Sequence, residues 1–292
     1  MTIVVTGATG PFGRHTVETL LERGIEPTSI VAAGRRVETL SDLAERGVGV
    51  RRIDFDDPET LRPAFEKAEA LLLVSGSEVG RRIAQHTNAV TAAVEAGVGR
   101  IVYTSAPHAD TSDLVLAPEH KATEAAIQAS GLPFTFLRNG WYTENYVSTL
   151  EQARTSGTII GSAGDGRVAS ASRADYAEAA AVALLNAEHV GRTYELTGDD
   201  AWTFYDLAGA IASIIDRNVE YVPLTPDEHT AALTAAGLDA GTAGFVVALD
   251  GNIRDGLLGE VNGELSRLIG HKTTPLADGL RTAAAQLDGA AA

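Results

Sequence analysis

The sequence predicts an α/β fold in which helices cover both faces of a parallel β-sheet. Six short apolar runs alternate with amphipathic stretches between residue 1 and about residue 138. Short runs rich in Val, Ile and Leu are typical of parallel strands that are buried on both faces. After residue 140 this alternation ends. We therefore expect a doubly wound parallel sheet followed by a smaller α/β C-terminal lobe.

The apolar runs place the six strands at residues 3–6, 30–33, 48–53, 70–74, 101–104 and 134–137. Helical periodicity falls between them, at 12–23, 37–46, 58–65, 81–96 and 119–129. Further along, the pattern predicts helices at 174–186 and 204–215 and strands at 193–197 and 219–223. We assign residues 1–140 to the first domain and residues 141–292 mainly to the second. Segments near 168–190 are expected to return to the first domain.

Three later helices carry the capping-box spacing at their starts. The pairs are Ser172/Asp175, Thr203/Asp206 and Thr225/Glu228. In this box the hydroxyl and the acidic side chain each bond a backbone N–H that the first helical turn leaves unpaired. The spacing therefore predicts where these helices begin.

The first strand leads into a turn with glycine at every third position, and a helix follows the turn. Gly7 permits a tight turn, Gly10 removes a Cβ that would block a phosphate, and Gly13 allows close packing of helix and strand. The helix N-terminus adds unpaired N–H groups and a positive dipole end. This order of strand, turn and helix predicts a Rossmann-like dinucleotide site, in which Thr9, Pro11 and Phe12 also contact the cofactor.

Composition and charge exclude several classes of function. The 292 residues include no cysteine, so disulfides, thiolate catalysis and Cys-based metal sites are excluded, and the few histidines form no credible metal set. A net charge of −16 argues against nucleic-acid binding. No apolar stretch approaches 18 residues, and because the given sequence starts with a strand we expect no export signal. We expect a cytoplasmic protein without a membrane span, and we keep a homodimer open.

Residues at three strand ends predict which dinucleotide binds. An NAD site usually carries Asp or Glu after the second strand, but this chain has Arg35 and Arg36. Guanidinium groups suit a 2′-phosphate, so we expect NADPH with Arg35 as its clamp. The alternative is that these arginines are solvated residues that start the next helix. Asp54 after the third strand, and Ser75, Gly76 and Ser77 after the fourth, are further candidate contacts.

The chain lacks a catalytic pair that is common among dehydrogenases, a Tyr four residues before a Lys. The only lysines are Lys67, Lys121 and Lys272, and the residues four before them are Pro63, Ala117 and Leu268. A reductase built on this chain must therefore work without a Tyr-x-x-x-Lys acid.

Six segments resemble the NmrA-like atypical short-chain dehydrogenases, and within them the NAD(P)H:quinone oxidoreductase type 2 and triphenylmethane reductase group. They are TGATGPFG at 6–13, LLLVSGSEVG at 71–80, YTSAPHADTS at 103–112, LRNGWYTENY at 137–146, GDGRVASASRADY at 164–176 and LIGHKTT at 268–274. The likeness covers nearly the whole chain. The middle segments favour the quinone reductase branch.

The resemblance implies hydride transfer from NADPH to a planar, quinone-like acceptor. A quinone is already electrophilic, and the hydroquinone anion has a pKa of about 10, so water can protonate it afterwards. A ketone gives a far more basic alkoxide and needs a positioned acid. The alternatives are a non-catalytic NADP-sensing regulator and a reductase of triphenylmethane dyes, imines or enones. An epimerase is disfavoured by the missing tyrosine.

Two residues are candidates for catalysis. Lys121 lies where several NmrA-like reductases keep an active-site lysine, whereas the quinone-reductase pattern usually has an apolar residue there. It is interpreted either as a cofactor anchor that also stabilises a quinone oxyanion or as a solvated helix residue. Ser105 matches the active-site serine of related folds, and its alternative role is a strand-end cap.

The segment after the sixth strand supplies the remaining candidates. We expect backbone groups near Asn139 and Gly140 to bind the nicotinamide carboxamide. Flat aromatic surface for a planar substrate would come from Trp141, Tyr142 and Tyr146, with Asn145 and His108 as polar contacts. The alternative for these aromatic side chains is packing in the C-terminal lobe.

Overall fold

The computed structural model describes residues 1–291, so residue 292, the end of the predicted lobe, lies outside the described residues. The described chain forms two units. The first unit consists of Met1–Asp110, Leu116–Asn139 and Arg173–Leu196. The second unit consists of Thr111–Val115, Gly140–Ser172 and the described chain from Thr197 onward.

The strands of the described chain are, in order, β1 (Ile3–Val5), β2 (Ile30–Gly34), β3 (Gly49–Arg52), β4 (Ala70–Leu73), β5 (Ile101–Ser105), β6 (Phe134–Asn139), β7 (Trp141–Tyr142), β8 (Thr158–Gly161), β9 (Arg167–Val168), β10 (Ser170–Ala171), β11 (Thr193–Leu196), β12 (Trp202–Thr203) and β13 (Glu220–Pro223). The α-helices are α1 (Pro11–Glu22), α2 (Ser41–Glu45), α3 (Leu61–Phe65), α4 (Arg82–Glu95), α5 (Ala117–Ser130), α6 (Val147–Ser156), α7 (Arg173–Leu185), α8 (Phe204–Ile215), α9 (Pro226–Ala235), α10 (Ala240–Arg254), α11 (Glu264–Ile269) and α12 (Leu276–Ala291). Short 3-10 helices occur at Pro27–Ser29, Val37–Leu40, Pro58–Thr60, Thr143–Tyr146 and Ala187–His189.

The first unit contains a seven-stranded sheet in the order β11-β6-β5-β4-β1-β2-β3. Every neighbouring pair in it runs parallel; Val4, for example, lies opposite Val31 on one side and Leu71 on the other. The chain moves outward from β1 to β3 and then returns to the other side of β1 with β4. This reversal creates a crevice at the carboxyl ends of β1 and β4, where ligands of doubly wound folds bind. The predicted α/β class is confirmed.

The six predicted strands lie within two residues of their positions in the structure. The strand predicted at 193–197 is β11, which pairs with β6 through Tyr194 and Leu137 and becomes the seventh strand of the sheet. Helix α7, which precedes it, packs against α1. The segment from Arg173 therefore completes the sheet and one of its helical layers.

Burial on both faces explains why these strands are continuous apolar runs in the sequence. Strands β1 and β4 are buried along their whole length. One face packs on α3 and α4, in a core that includes Phe65, Tyr103 and Phe136. A strand covered on both faces has no solvent-facing positions, so its sequence does not alternate.

The second unit holds three two-stranded sheets, β7 with β10, β9 with β12 and β8 with β13. Two of the predicted capping boxes are confirmed, Thr203/Asp206 at α8 and Thr225/Glu228 at α9. The box at Ser172 stays a prediction. Across the described residues, no helix combines the length and the apolar character needed to cross a membrane.

Candidate cofactor cleft and active site

The glycine turn joins β1 to α1 in the geometry that its sequence predicts. Gly7 has a φ of +63°, in the left-handed region that favours glycine. The N–H of Gly10 donates to the Gly7 carbonyl oxygen at 2.9 Å, which closes the turn. Gly10 is the N-cap of α1 and makes no side-chain cap, so the start of the helix offers its positive dipole end to an anion.

A cleft of about 570 Å³ opens beside this turn. It is lined by Gly7, Thr9, Gly10, Pro11, Phe12, Gly34, Arg35, Arg36, Ile53, Asp54, Phe55, Val74, Ser75, Gly76, Ser77, Glu78, Gln85 and Arg173. All of these residues belong to the first unit, and they lie at or after the ends of β1, β2, β3 and β4 or in the first turns of α4 and α7. Ten of the predicted cofactor contacts are among them.

Several lining residues were missed by sequence reasoning. Ile53 and Val74 lie at strand ends, so counting every residue at those ends would have found them. Glu78 and Gln85 lie in and after the loop that follows β4, and the same argument extends to them. Arg173 begins α7 and had no local signal, because only the return of this segment to the sheet brings it to the cleft.

The residues after β2 fit a phosphate rather than a bare ribose. Neither Gly34 nor Arg35 offers a carboxylate, and the guanidinium of Arg35 is exposed at the cleft wall. A Cβ on Gly34 would lie 2.7 Å from the side chain of Thr9, so a larger residue where β2 meets the glycine turn would force Thr9 to move. Arg35 Nη1 is 2.8 Å from Glu78 Oε1. The predicted clamp thus already has an anionic partner.

The loop after β4 is held by side chains of α4. The N–H of Gly76 donates to Nε2 of His86 at 3.0 Å, and Nε of Arg82 donates to the Gly76 carbonyl oxygen at 2.6 Å. Because Nε2 accepts, Nδ1 carries the proton and bonds the Thr123 hydroxyl at 2.9 Å. Burial, assisted by the charge of Arg82, lowers the pKa of His86 to about 4. The ring is therefore neutral near pH 7 and remains an acceptor for the loop.

Ser105, a predicted catalytic residue, lies at the end of β5 and is buried. Its hydroxyl donates to Glu124 Oε1 at 2.6 Å. Arg138 binds both oxygens of the same carboxylate, at 2.9 and 2.7 Å. Arg138 Nη1 also donates to Asp110 and Glu195, at 2.8 and 2.9 Å. The serine therefore belongs to a buried ionic network, and it does not appear among the residues that line the cleft.

Lys121 lies on the exposed face of α5, and its ammonium donates to the carbonyl oxygen of Asp110 at 2.8 Å. His108 has a φ of +46°, and its backbone N–H donates to Glu195 at 3.0 Å. His120 is buried, with Nδ1 2.8 Å from the hydroxyl of Tyr103. Burial and the nearby positive charge of Arg82 lower the pKa of His120 to about 3. His120 is therefore poorly suited to donate a proton.

The structure places the other predicted site residues as follows. Asn139 ends β6 and is buried in the first unit, whereas Gly140 begins a segment of the second unit. In the second unit, Trp141 and Tyr142 are half-buried on β7, and Asn145 is exposed.

Tyr146 is buried in the second unit, with its ring edge-on to Trp202 and Phe204 at centroid distances of 4.9 and 5.8 Å. This tyrosine thus takes part in an aromatic cluster of the lobe. The roles proposed for all of these residues remain predictions.

Among the described residues, no group of three or more His, Asp or Glu side chains is arranged to hold a metal ion.

Comparison with known proteins identifies the family. The model of the NmrA-like family matches residues 1–239. The chain belongs to the NmrA-like family. Quinone oxidoreductase 2 of Escherichia coli (strain K12) is 45% identical to this NmrA-like protein over 276 residues, which are 94% of this chain and 96% of the relative.

Two solved structures match over nearly the whole chain. The crystal structure of the E. coli NADPH-dependent quinone oxidoreductase QOR2 complexed with NADPH has a TM-score of 0.91 and 44% identity, covering 96% of this chain and 99% of that one. Triphenylmethane reductase of Citrobacter sp. complexed with NADP(H) has a TM-score of 0.90 and 37% identity, covering 97% and 100%. The Rossmann-like fold and the family resemblance are thereby confirmed.

Proposed function

We propose that this chain is an NADPH-dependent reductase that delivers hydride to a quinone-like, already electrophilic acceptor. The observation that carries the proposal is the cleft in which a glycine turn and the start of α1 meet Arg35 after β2. The identity to E. coli quinone oxidoreductase 2 and the likeness to its NADPH complex support it.

Residues of the cleft are proposed to bind three parts of the cofactor. The N–H groups at the start of α1 would bind the pyrophosphate, and Arg35 would bind the 2′-phosphate. The loop Ser75–Gly76–Ser77 would line the central part. His86 and Arg82 bond both backbone groups of Gly76 and thereby hold this loop at the cleft. Bound NADPH supplies the hydride, and the protein supplies position and a dry surrounding.

The arrangement of buried donors favours an acceptor that needs no strong acid. Ser105 already donates to Glu124, and the low pKa of His120 leaves that ring neutral. A hydroquinone anion accepts its proton from water, since its pKa is about 10. We propose that Lys121 stabilises negative charge on the acceptor oxygen, with Ser105 as the second catalytic residue.

Substrate binding is proposed for the segment after β6 and for one histidine. Trp141, Tyr142 and Tyr146 offer flat apolar surface for a planar acceptor, and Asn145 and His108 offer polar contacts. Asn139 and Gly140 are proposed to bind the nicotinamide. A cytoplasmic location and a homodimer remain predictions, to be tested by cell fractionation and light scattering.

The decisive experiment follows NADPH oxidation with three acceptors: a small quinone, a triphenylmethane dye and a simple ketone. We expect rapid turnover with the quinone and little with the ketone. Tight NADPH binding without turnover of any acceptor would contradict the proposal and favour an NADP-sensing regulator. A dye turned over faster than the quinone would instead favour the triphenylmethane reductase activity.

The cofactor assignment has its own test. Replacing Arg35 by Ala removes the guanidinium proposed for the 2′-phosphate. We expect kcat/KM for NADPH to fall at least about tenfold, about 1.4 kcal/mol, with kcat/KM for NADH nearly unchanged. Equal use of both cofactors by the unmodified protein would contradict the clamp.

A further inference from the structure

Glu78 brings a negative charge to the wall of the cofactor cleft, beside the arginine proposed to bind the 2′-phosphate. Its Oε1 atom lies 2.8 Å from Nη1 of Arg35. The Glu78 side chain is 31% exposed and that of Arg35 is 60% exposed, so a ligand in the cleft can reach this pair.

Other donors hold Glu78 in this place. Its second oxygen, Oε2, lies 3.3 Å from Nη1 of Arg81 and accepts from Nε2 of Gln85, also at 3.3 Å. Both of these side chains also contact Asp56 in the turn after β3: Arg81 at 2.9 Å and Gln85 at 3.0 Å. The carboxylate is thus fixed by donors in the β4–α4 loop and on α4, independently of Arg35.

A 2′-phosphate would bind the guanidinium of Arg35, which is paired with Glu78 in this structure. When the phosphate binds Arg35, Glu78 keeps Arg81 and Gln85 as partners, so its negative charge remains paired with donors. The carboxylate nevertheless remains close to the phosphate, and like charges at such a distance repel, although solvent weakens the effect at this exposed site. The pair therefore opposes binding of the 2′-phosphate and favours its release.

We infer that Glu78 is a specificity-determining residue that weakens binding of the 2′-phosphate by competing for Arg35. It thereby limits how strongly the protein prefers NADPH over NADH. The inference rests on the proposed use of NADPH. It concerns the adenosine end of the cleft and is independent of the acceptor.

Two small ligands isolate this effect from catalysis. Adenosine 2′,5′-diphosphate differs from adenosine 5′-monophosphate only by the 2′-phosphate, so calorimetric titration with both measures the contribution of that group. In Glu78→Gln, which keeps the shape of the side chain, we expect the diphosphate to bind about five- to tenfold tighter. The Kd of the monophosphate should stay within about twofold.

Two further variants make the test specific. Glu95→Gln, at an exposed position outside the cleft, changes the net charge by the same amount and should leave both Kd values unchanged. In Arg35→Ala the diphosphate should bind no more tightly than the monophosphate. Adding Glu78→Gln to this variant should tighten diphosphate binding by less than about twofold.

The outcomes separate this inference from the proposed function. Unchanged or weaker binding of the diphosphate by Glu78→Gln would overturn the inference and leave NADPH use intact. An unmodified protein that binds both ligands equally well would overturn NADPH use and this inference together.

Discussion

Gly13 shows how a single hydrogen atom in place of a methyl group allows the cofactor turn to form. A Cβ at this position would lie 2.5 Å from the Gly7 carbonyl oxygen and 2.7 Å from the Ala8 nitrogen. Both are backbone atoms of the turn itself, so they cannot move without moving the predicted anion site. Gly13 lies outside the cleft lining, so a direct contact between this residue and the cofactor stays a prediction.

Gly13→Ala should therefore lower both stability and cofactor affinity. We expect the free energy of unfolding to fall by about 1–3 kcal/mol, the usual cost of overpacking. The Kd for NADPH should rise, because the N–H groups of α1 are displaced.

Chemical denaturation and calorimetric titration would measure the two effects. Gly209→Ala is the matched control, since that glycine is also helical and has open space at its Cβ position. It should be neutral or stabilising by up to about 1 kcal/mol. Equal behaviour of the two variants would contradict the packing argument.

Lys121 is the residue for which sequence and structure leave the sharpest choice between two roles. Its ammonium is exposed and donates to a backbone carbonyl oxygen. This hydrogen bond is compatible both with a solvated lysine and with a lysine that binds the cofactor. We expect Lys121→Ala to lower quinone turnover at least about tenfold, about 1.4 kcal/mol.

Steady-state kinetics with saturating NADPH would measure this loss. Lys272→Ala, which removes another exposed lysine, should leave turnover unchanged. If Lys121→Ala also has full activity, the lysine belongs to the solvated face of α5 and has no catalytic role.

At the scale of an element, α8 begins where local chemistry dictates. The Thr203 hydroxyl accepts from the Asp206 N–H at 3.2 Å, and Asp206 Oδ2 accepts from the Thr203 N–H at 2.8 Å. Both donors belong to the first turn, which has no intrahelical acceptors for them. The helix then buries Phe204, Leu207 and Ile211 against its own unit.

Thr203→Ala should lower the free energy of unfolding by about 1 kcal/mol, because one first-turn N–H loses its acceptor. Urea denaturation followed by circular dichroism would measure the change. Thr234→Ala, inside the exposed part of α9, removes only a hydroxyl bonded to the preceding turn and should be close to neutral. A larger effect at Thr234 than at Thr203 would argue against the cap.

At the scale of the whole molecule, buried histidines link stability to pH. Burial lowers the pKa of His86 to about 4 and that of His120 to about 3, whereas an unfolded histidine titrates near about 6.5. Below about pH 6.5 the unfolded chain therefore binds more protons than the folded chain. The stability contributed by the neutral rings is complete above that pH and is lost as the pH falls toward about 4.

We expect the free energy of unfolding to decrease between about pH 6.5 and 4, by up to about 1.4 kcal/mol per pH unit for each histidine. His86→Gln keeps an acceptor for the Gly76 N–H but does not titrate, so the slope should become shallower. Denaturation curves at several pH values give the slope even if the variant is less stable overall. His271→Gln, at an exposed position, should leave the slope unchanged.

Much of the fold and part of the site were predictable from local patterns. The strands of the sheet are apolar runs because both faces are covered, and the cofactor turn is visible as glycines at fixed spacing. Most of the cleft residues missed by prediction follow strand ends and could have been found there, but one comes from a distant segment. Arg173 arrives with α7, which no local pattern connects to the glycine turn.

By itself, the sequence determined the α/β class, the glycine turn of a dinucleotide site, the presence of arginines after the second strand, from which NADPH is predicted, and the absence of a Tyr-x-x-x-Lys pair. These features depend on residue types at short spacing, which directly determine the local backbone geometry. Only the tertiary structure decided that Ser105 donates to Glu124, that Arg35 is paired with Glu78 and that β11 is the seventh strand. Each of these joins residues that are 19 or more positions apart, and long-range packing and charge pairing, rather than local propensity, bring them together.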